Sequence, residues 1–392
     1  MTTLTDHPTT NGTNPTLVLP HIPTAAITAA IPEIDGCRRL PTSLVSALAN
    51  AGLFRLYTPA EHGGTELDPE AFCTVVEDVA RLDGSVAWCV WNGNTGFAAS
   101  LLEPAAAELV FGHGDAVGNS ARVAGTAVPV ERGYRLSGRW DLVSGSDHQP
   151  WFILFGIVTD GETPRFVAPG VPDVRAFFVP NDQCSIVDRW HVLGLRATSS
   201  NEVVAAEVFV PEALAPSPFA PSRIDRTLYR VPVFTTASCG GAAVCLGIAR
   251  GAIEDLMVLA ATKTSVRDAS PIATHADVQA TIAECDIELR GSRAAFHETL
   301  ATVVATAAAG SAPVLVERAR VRAAMTHAAR TARSVTLRMF ELGSSTAIYD
   351  GNTLQRRLRD VLVAAQHMML QPIWFEETGR AMLGLETTLP IL

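Results

Sequence analysis

The sequence GYRLSGRWDLVSGSDHQPW, residues 133–151, contains the most informative pattern in the chain. Tyr134, Leu136 and Trp140 alternate with polar residues, which is the period of a half-buried β-strand. Ser144 follows near the end of the predicted strand, so Trp140, Ser144 and Trp151 are predicted to line a cavity. Such a cavity suits a flat, redox-active ring. The alternative, from periodicity alone, is a β-sandwich strand with a buried tryptophan.

The composition restricts the class of protein. The chain has 392 residues, of which 48% are hydrophobic, so it is long enough to bury a large shared core. Forty acidic against thirty basic residues give a net charge of -10, which argues against a nucleic-acid-binding surface. The seven cysteines form no CxxC pair and the ten histidines show no ligand spacing, so neither a disulfide framework nor a metal centre is predicted. No apolar run could span a bilayer and the first twenty residues do not resemble a secretory signal, so we expect a cytoplasmic protein without membrane association.

Hydrophobic periodicity divides the chain into successive regions. Residues 1–22 are rich in Thr, Asn and Pro and predict a disordered tail. Helical spacing over residues 23–115 predicts an N-terminal helical domain, and a period of two over residues 116–215 predicts a central β-domain. The proline-rich stretch 216–235 favours a linker. Helical stripes over residues 236–392 predict a bundle of four long helices.

Two of the predicted helices carry candidate site residues. The spacing predicts one helix over residues 85–102 and another over residues 353–371. In the second, Arg356, Asp360 and His367 fall along one line, so His367 would have charged partners one and two turns before it. From this pattern alone, His367 is either a satisfied core histidine or an acid–base group.

Four stretches of the chain, in order, resemble one known family. They are LFRLYTPAEHGGTELDP at 53–69, GRWDLVSG at 138–145, LGLRATSSNEVVAAEVFVP at 193–211 and YDGNTLQRRLRDVLVAAQH at 349–367. Together they resemble the flavin-dependent monooxygenases built on the acyl-CoA dehydrogenase fold, the oxygenase halves of two-component hydroxylases. The resemblance implies an α+β, acyl-CoA dehydrogenase-like fold with an N-terminal helical domain, a central β-domain and a C-terminal four-helix bundle.

The resemblance also implies an activity. Reduced FMN or FAD would react with O2 to give a C4a-hydroperoxyflavin, which hydroxylates a small organic substrate that is aromatic, polycyclic or an amine. The glycines at 112, 114 and 118 do not lie between a strand and a helix of a βαβ unit, so no nicotinamide-binding fingerprint is present. We therefore expect reduced flavin to come from a separate NAD(P)H:flavin reductase. The family further implies a homotetramer.

The resemblance supplies the candidate site residues. Ser144 is expected at the N5 edge of the flavin, where an unaided interpretation of the sequence would predict a solvated serine at a strand end. His367 is expected beside the reactive edge, as an acid–base or hydroperoxide-stabilising residue, and Trp88 is expected to line the pocket. The other expected flavin contacts are Asn119, Leu142, Val143, Arg267, Ser345, Thr346 and Met368, with Arg267 suited to a flavin phosphate.

Two departures from related families affect the predicted substrate. Several phenol-hydroxylating relatives carry a histidine about two turns after the position of Trp88, but residues 92–96 here contain none, which argues against a phenolic substrate. After Arg359 and Asp360 the chain lacks the glutamate that acyl-CoA dehydrogenases commonly place in an EGT turn. The alternatives that remain open are an FAD-dependent dehydrogenase or oxidase, and a non-catalytic flavin-binding partner protein.

Overall fold

The computed structural model describes residues 19–266 and 268–389, so most of the predicted tail over 1–22 lies outside the described residues. The helices are α1 (Thr24–Cys37), α2 (Thr42–Asn50), α3 (Pro69–Leu82), α4 (Gly84–Gly93), α5 (Pro104–Phe111), α6 (Thr227–Arg230), α7 (Val233–Thr262), α8 (Ala276–Ala308), α9 (Leu315–Ala347), α10 (Thr353–Ala364) and α11 (Ile373–Met382). The strands are β1 (Val117–Val130), β2 (Gly133–Val143), β3 (Trp151–Asp160), β4 (Thr163–Pro164), β5 (Phe166–Ala168), β6 (Val171–Pro172), β7 (Val174–Pro180), β8 (Ser185–Val187) and β9 (Asn201–Pro211). None of the helices in these described ranges is both long and apolar enough to cross a membrane.

The central strands form one mixed sheet. Its order is β7, β3, β1, β2, β9 and β8, with β4 pairing at the end of β3, while β5 and β6 form a separate pair. The strands β1 and β3 run parallel, and β1 and β2 form an antiparallel hairpin in which Gly125 faces Gly138. A Cβ atom on either glycine would overlap the ring of Trp140, so the two glycines leave space for this side chain. Trp140 is fully buried and donates its indole N–H to the Phe155 carbonyl at 2.9 Å, so it is a core residue and its predicted place in a cavity is wrong.

A bulge near the end of β2 prepares the site. Trp140 pairs with Val203 and Val143 pairs with Asn201, so the register shifts by one residue between them. Leu142 lies in this irregularity with a φ of 62° and is 54% exposed, whereas Val143 is buried. The bulge therefore turns Leu142 out of the sheet immediately before Ser144.

Two large hydrophobic cores hold the molecule together. One is shared by the helices before the sheet, α1 to α4, and the helices after it, α7 to α11. The other lies between the sheet and α5. Phe97 packs against both cores. Because α4 belongs to the shared core and contacts β1, it places side chains from its length at the boundary between helices and sheet.

Three predicted elements end at different residues in the structure. The predicted helix over 85–102 stops at Gly93, because the buried Asn94 side chain hydrogen-bonds the backbone of Leu53, Leu56 and Val90, and a 3₁₀ turn follows. Within the region of period two, the sequence predicts a strand over 184–190, but the structure forms only β8 there. The predicted helix over 353–371 ends at the end of α10, where the Gln371 side chain donates to the carbonyls of residues 365 and 367.

Candidate active site

A chain of hydrogen bonds joins α4 to the sheet. The Trp88 indole N–H donates to Ser144 Oγ at 3.0 Å, and the Oγ atoms of Ser144 and Ser200 lie 2.8 Å apart. Ser200 lies 2.7 Å from Thr198, whose hydroxyl donates to the Leu195 carbonyl at 2.9 Å. A hydroxyl has one proton, so the carbonyl at the end of the chain fixes the direction of every link. The Ser144 hydroxyl therefore donates its proton to Ser200 Oγ. Because Ser144 Oγ also accepts from Trp88, it has one lone pair left to accept a hydrogen bond from a further donor.

A buried charged cluster positions both ends of this chain. Leu195, in the left-handed region with a φ of 51°, donates its N–H to Asp360 Oδ1 at 2.6 Å. Asp83 caps the first turn of α4 and is paired with Arg356, which lies one turn before Asp360 on α10. Burial, and then the charge of Asp83, raises the pKa of Asp360 to about 7. One cluster thus anchors the helix that carries Trp88 and the turn that precedes Ser200.

Aromatic rings surround His367. Its ring centroid lies 5.8 Å from that of Trp88 and 5.2 Å from that of Trp91, with the rings nearly perpendicular in each pair. His367 Nδ1 accepts the Met369 N–H at 3.3 Å, so the neutral ring carries its proton on Nε2. Burial lowers the pKa of His367 to about 4, so the ring is neutral at neutral pH.

His367 does not have the partners predicted for it. It lies beyond α10, as the residue before the 3₁₀ turn Met368–Leu370, and not on a helix face with Arg356 and Asp360. Those two residues belong to the charged cluster at Asp83. The expected line of charged partners along one helix is therefore wrong, and the His367 ring instead contacts two tryptophan rings and the Met369 N–H.

Other candidate residues surround this centre. Asn119, on β1, donates its side-chain amide to the Asn92 carbonyl at 3.2 Å. Met368 follows His367 and is 58% exposed, and Leu142 beside Ser144 is similarly exposed. A large apolar side chain is thus exposed next to each of Ser144 and His367, while Val143 is buried in the sheet core.

The structure places Ser345 and Thr346 far from Trp88 in the same chain. The hydroxyl of Thr346 accepts a hydrogen bond of 2.7 Å from Lys263, which directly follows the end of α7. The carbonyl of Ala237, near the start of α7, accepts the Trp91 indole N–H. The 26 residues between Ala237 and Lys263 correspond to about 40 Å at the helical rise of about 1.5 Å per residue. Arg267 lies outside the described residues, four positions after Lys263.

The sequence interpretation missed several polar residues near the site. Thr198 and Ser200 lie in the run ATSSN, where consecutive hydroxyl residues before a strand were an available signal. His148 and Gln149 are buried with no hydrogen-bond partner for their side chains among the described residues, and burial lowers the pKa of His148 to about 4. Arg322 had no distinguishing signal, because it is one of several arginines on α9.

Comparison with known proteins identifies the family. Residues 24–109 match the acyl-CoA dehydrogenase N-terminal domain, and residues 239–372 match the acyl-CoA dehydrogenase C-terminal domain. The oxygenase subunit HsaA of a flavin-dependent monooxygenase from Rhodococcus jostii is 30% identical over 358 residues, which cover 87% of this chain and 90% of that protein. The chain belongs to the flavin-dependent monooxygenases of the acyl-CoA dehydrogenase fold.

Further comparisons support the same family assignment for this monooxygenase. Indole-3-acetate monooxygenase from Pseudomonas putida is 29% identical over 379 residues, covering 91% of this chain and 90% of that protein. Among solved structures, XiaF from Streptomyces sp. in complex with FADH2 and glycerol has a TM-score of 0.87 and 26% identity, covering 94% of this chain and 95% of that chain. The predicted fold class and enzyme class are therefore confirmed.

Proposed function

We propose that this monooxygenase is the oxygenase component of a two-component system that hydroxylates a small aromatic substrate. It would receive reduced FMN or FAD from a separate NAD(P)H:flavin reductase, and the relatives described above support this assignment. The structural observation that carries the proposal is the meeting of Ser144 and His367 at Trp88, at the boundary between the sheet and the helices. The flavin supplies the electrons that activate O2 when it is bound.

The residues present fit a reduced flavin ring. Ser144 Oγ donates to Ser200 and accepts from Trp88, so its remaining lone pair can only accept another hydrogen bond. In a reduced flavin N5 carries a proton, whereas in an oxidised flavin N5 is an acceptor. We therefore assign Ser144 a preference for the reduced form. The exposed apolar side chains of Leu142 and Met368 offer surface that a flat ring could cover.

His367 has a different role in the proposal. Its neutral ring holds a proton on Nε2, because Nδ1 is occupied by the Met369 N–H. A neutral donor can hydrogen-bond an oxygen atom bound beside it without bringing a full positive charge into an apolar site. The rings of Trp88 and Trp91 exclude water from this donor. We propose that His367 thereby limits the loss of hydrogen peroxide.

We propose that the remaining candidate residues act from a second copy of the chain. Ser345 and Thr346 lie about 40 Å along α7 from Trp91, which is farther than a flavin extends. We propose that the protein is a homotetramer in the cytoplasm, and that Arg267, Ser345 and Thr346 of one copy contact the flavin of a neighbouring copy. Sedimentation of the purified protein tests the tetramer, and a monomeric species that still retains reduced flavin would contradict this arrangement.

Rapid mixing tests the proposed activity. Purified protein is mixed anaerobically with reduced FMN or FAD, then with oxygenated buffer, while flavin absorbance and hydrogen peroxide are followed. We expect flavin bound to the protein to reoxidise more slowly than free flavin and to pass through a spectrally distinct species. Reoxidation at the rate of free flavin, with stoichiometric peroxide at every substrate tried, would refute the proposal. Bleaching of bound FAD by acyl-CoA thioesters would instead indicate a dehydrogenase, and failure to bind either flavin would indicate a non-catalytic partner.

A further inference from the structure

Arg322 on α9 is a buried cation without an acidic partner. Its side chain is 2% exposed, and no carboxylate forms an ion pair with it in residues 19–266 and 268–389. Its Nη1 donates to Ser238 Oγ and lies 3.6 Å from Met325 Sδ, and the guanidinium lies 5.7 Å from the ring centroid of Trp374. The partners of this charge are thus a hydroxyl, a thioether and an aromatic face.

Such an environment leaves the charge without a carboxylate counter-ion. Burial lowers the pKa of Arg322 to about 10, a value at which the side chain is still charged at neutral pH. The nearby Arg318 carries the same sign of charge and lowers the pKa further. A buried cation without a carboxylate counter-ion destabilises the folded state, because removing an ion from water carries a free-energy penalty. An anion that entered this position would therefore gain favourable interaction energy.

The position of Arg322 connects it to the candidate active site. Its partner Ser238 follows Ala237, whose carbonyl accepts the Trp91 indole N–H at 2.9 Å. The Trp374 ring beside it donates its N–H to the Met368 carbonyl at 2.9 Å, directly after His367. Ser238 and Trp374, two of the three residues that contact the guanidinium, are therefore linked to the aromatic group around His367.

We propose that Arg322 binds the anionic group of the substrate, and that the substrate is an aromatic carboxylate. The side-chain contacts with Ser238 and Met325 both use Nη1, and neither uses Nε or Nη2. The Nε and Nη2 N–H groups form the edge of a guanidinium that binds a carboxylate through two parallel hydrogen bonds. The aromatic body would lie against Trp91. This assignment rests on the proposed function, whose substrate class it specifies.

A thiolate within the protein is the main competitor for this role. Burial raises the pKa of Cys239, but hydrogen bonds from Cys73 and Tyr57 and the charge of Arg322 outweigh that effect and lower it. Cys239 adjoins Ser238, so an ionised sulfur there would serve as an internal counter-ion. Substitution of each residue separately distinguishes the two possibilities.

Binding of matched ligand pairs tests the proposal. The pairs are indole-3-acetate and indole-3-acetamide, phenylacetate and phenylacetamide, and benzoate and benzamide, each titrated anaerobically into protein saturated with reduced FMN or FAD. In at least one pair we expect the wild type to bind the carboxylate about 10- to 100-fold more tightly than the amide, in line with hydrogen bonds to charged groups. Arg322→Met should bind both members about equally, with the affinity for the amide unchanged. Arg320→Met, at an exposed position on the same helix, is the matched control and should keep the wild-type ratio.

The ratio within one variant separates charge recognition from general damage. A wild type without preference in all three pairs, including one that binds neither member, overturns the proposal, as does Arg322→Met with an unchanged preference. Loss of the preference in Cys239→Ser but not in Arg322→Met also overturns it. If Arg322→Met does not fold, Arg322→Lys replaces it and should lose several-fold of the preference, since an ammonium cannot form the bidentate pair. The proposed function fails separately, when the wild type does not bind reduced flavin or does not slow its reoxidation.

Discussion

Asp360→Asn should change how stability depends on pH. Asp360 is 2% exposed, and its pKa of about 7 exceeds the value of about 3.9 for an aspartate in an unfolded chain. The unfolded chain therefore releases this proton at lower pH than the folded protein. Stability from this group is fully present below about pH 4 and is lost as the pH rises through 7. The folded and unfolded pKa values differ by about three, and at about 1.4 kcal/mol for each pKa unit this amounts to roughly 4 kcal/mol of stability.

The asparagine variant removes this titration and keeps the local geometry. Its Oδ1 can still accept the Leu195 N–H, which Asp360 accepts at 2.6 Å. In urea unfolding between pH 5.5 and 8, the free energy of unfolding of Asp360→Asn relative to the wild type should rise by about 2 kcal/mol by pH 7. Above pH 7 it should rise little further. Val361→Ala, at a buried apolar position on the same helix, should lower stability equally at every pH. A difference between Asp360→Asn and the wild type that does not vary with pH would refute the assigned titration.

Three further substitutions test the site. Ser144→Ala leaves the Trp88 indole N–H without its acceptor, so we expect a loss of about 1–3 kcal/mol in urea unfolding, together with weaker binding of reduced flavin measured anaerobically by fluorescence. His367→Ala should still bind reduced flavin but release more hydrogen peroxide per O2 consumed, measured with an oxygen electrode and a peroxidase assay. Gly240→Ala places a Cβ atom into the ring of Trp91, so it should lower the melting temperature and displace that ring, with a change in tryptophan fluorescence.

Two of these substitutions have a control. Gly379→Ala, on α11, adds a Cβ atom with nothing within 4 Å, so it should be neutral or stabilise by up to about 1 kcal/mol. Equal effects of Gly240→Ala and Gly379→Ala would contradict the steric argument. An effect of Ser144→Ala that persists when Trp88 is already phenylalanine would show that the hydrogen bond is not its cause. Unchanged peroxide release in His367→Ala would remove the proposed role of that residue.

The sequence predicted the class of most elements because their periodicity is local. Alternation in β2 and the apolar stripes of α3 and α8 each need only neighbours a few residues apart. The ends of the elements were harder to predict, because side chains compete with the helix for hydrogen bonds to the backbone. The Asn94 side chain does so at the end of α4, and the Gln371 side chain does so after α10. The domain boundaries at residues 115, 215 and 235 stay a prediction.

The sequence by itself determined the fold class and the family, because ordered motifs and hydrophobic periods are properties of short stretches. It also selected Ser144, His367 and Trp88, although only through resemblance. The tertiary structure alone decided that Trp88 and Ser144, 56 residues apart, share a hydrogen bond, and that Ser238 and Arg322, 84 residues apart, form a contact without a carboxylate. Such facts depend on which side chains meet when distant segments pack, and burial then fixes the direction of a proton or leaves a charge unpaired.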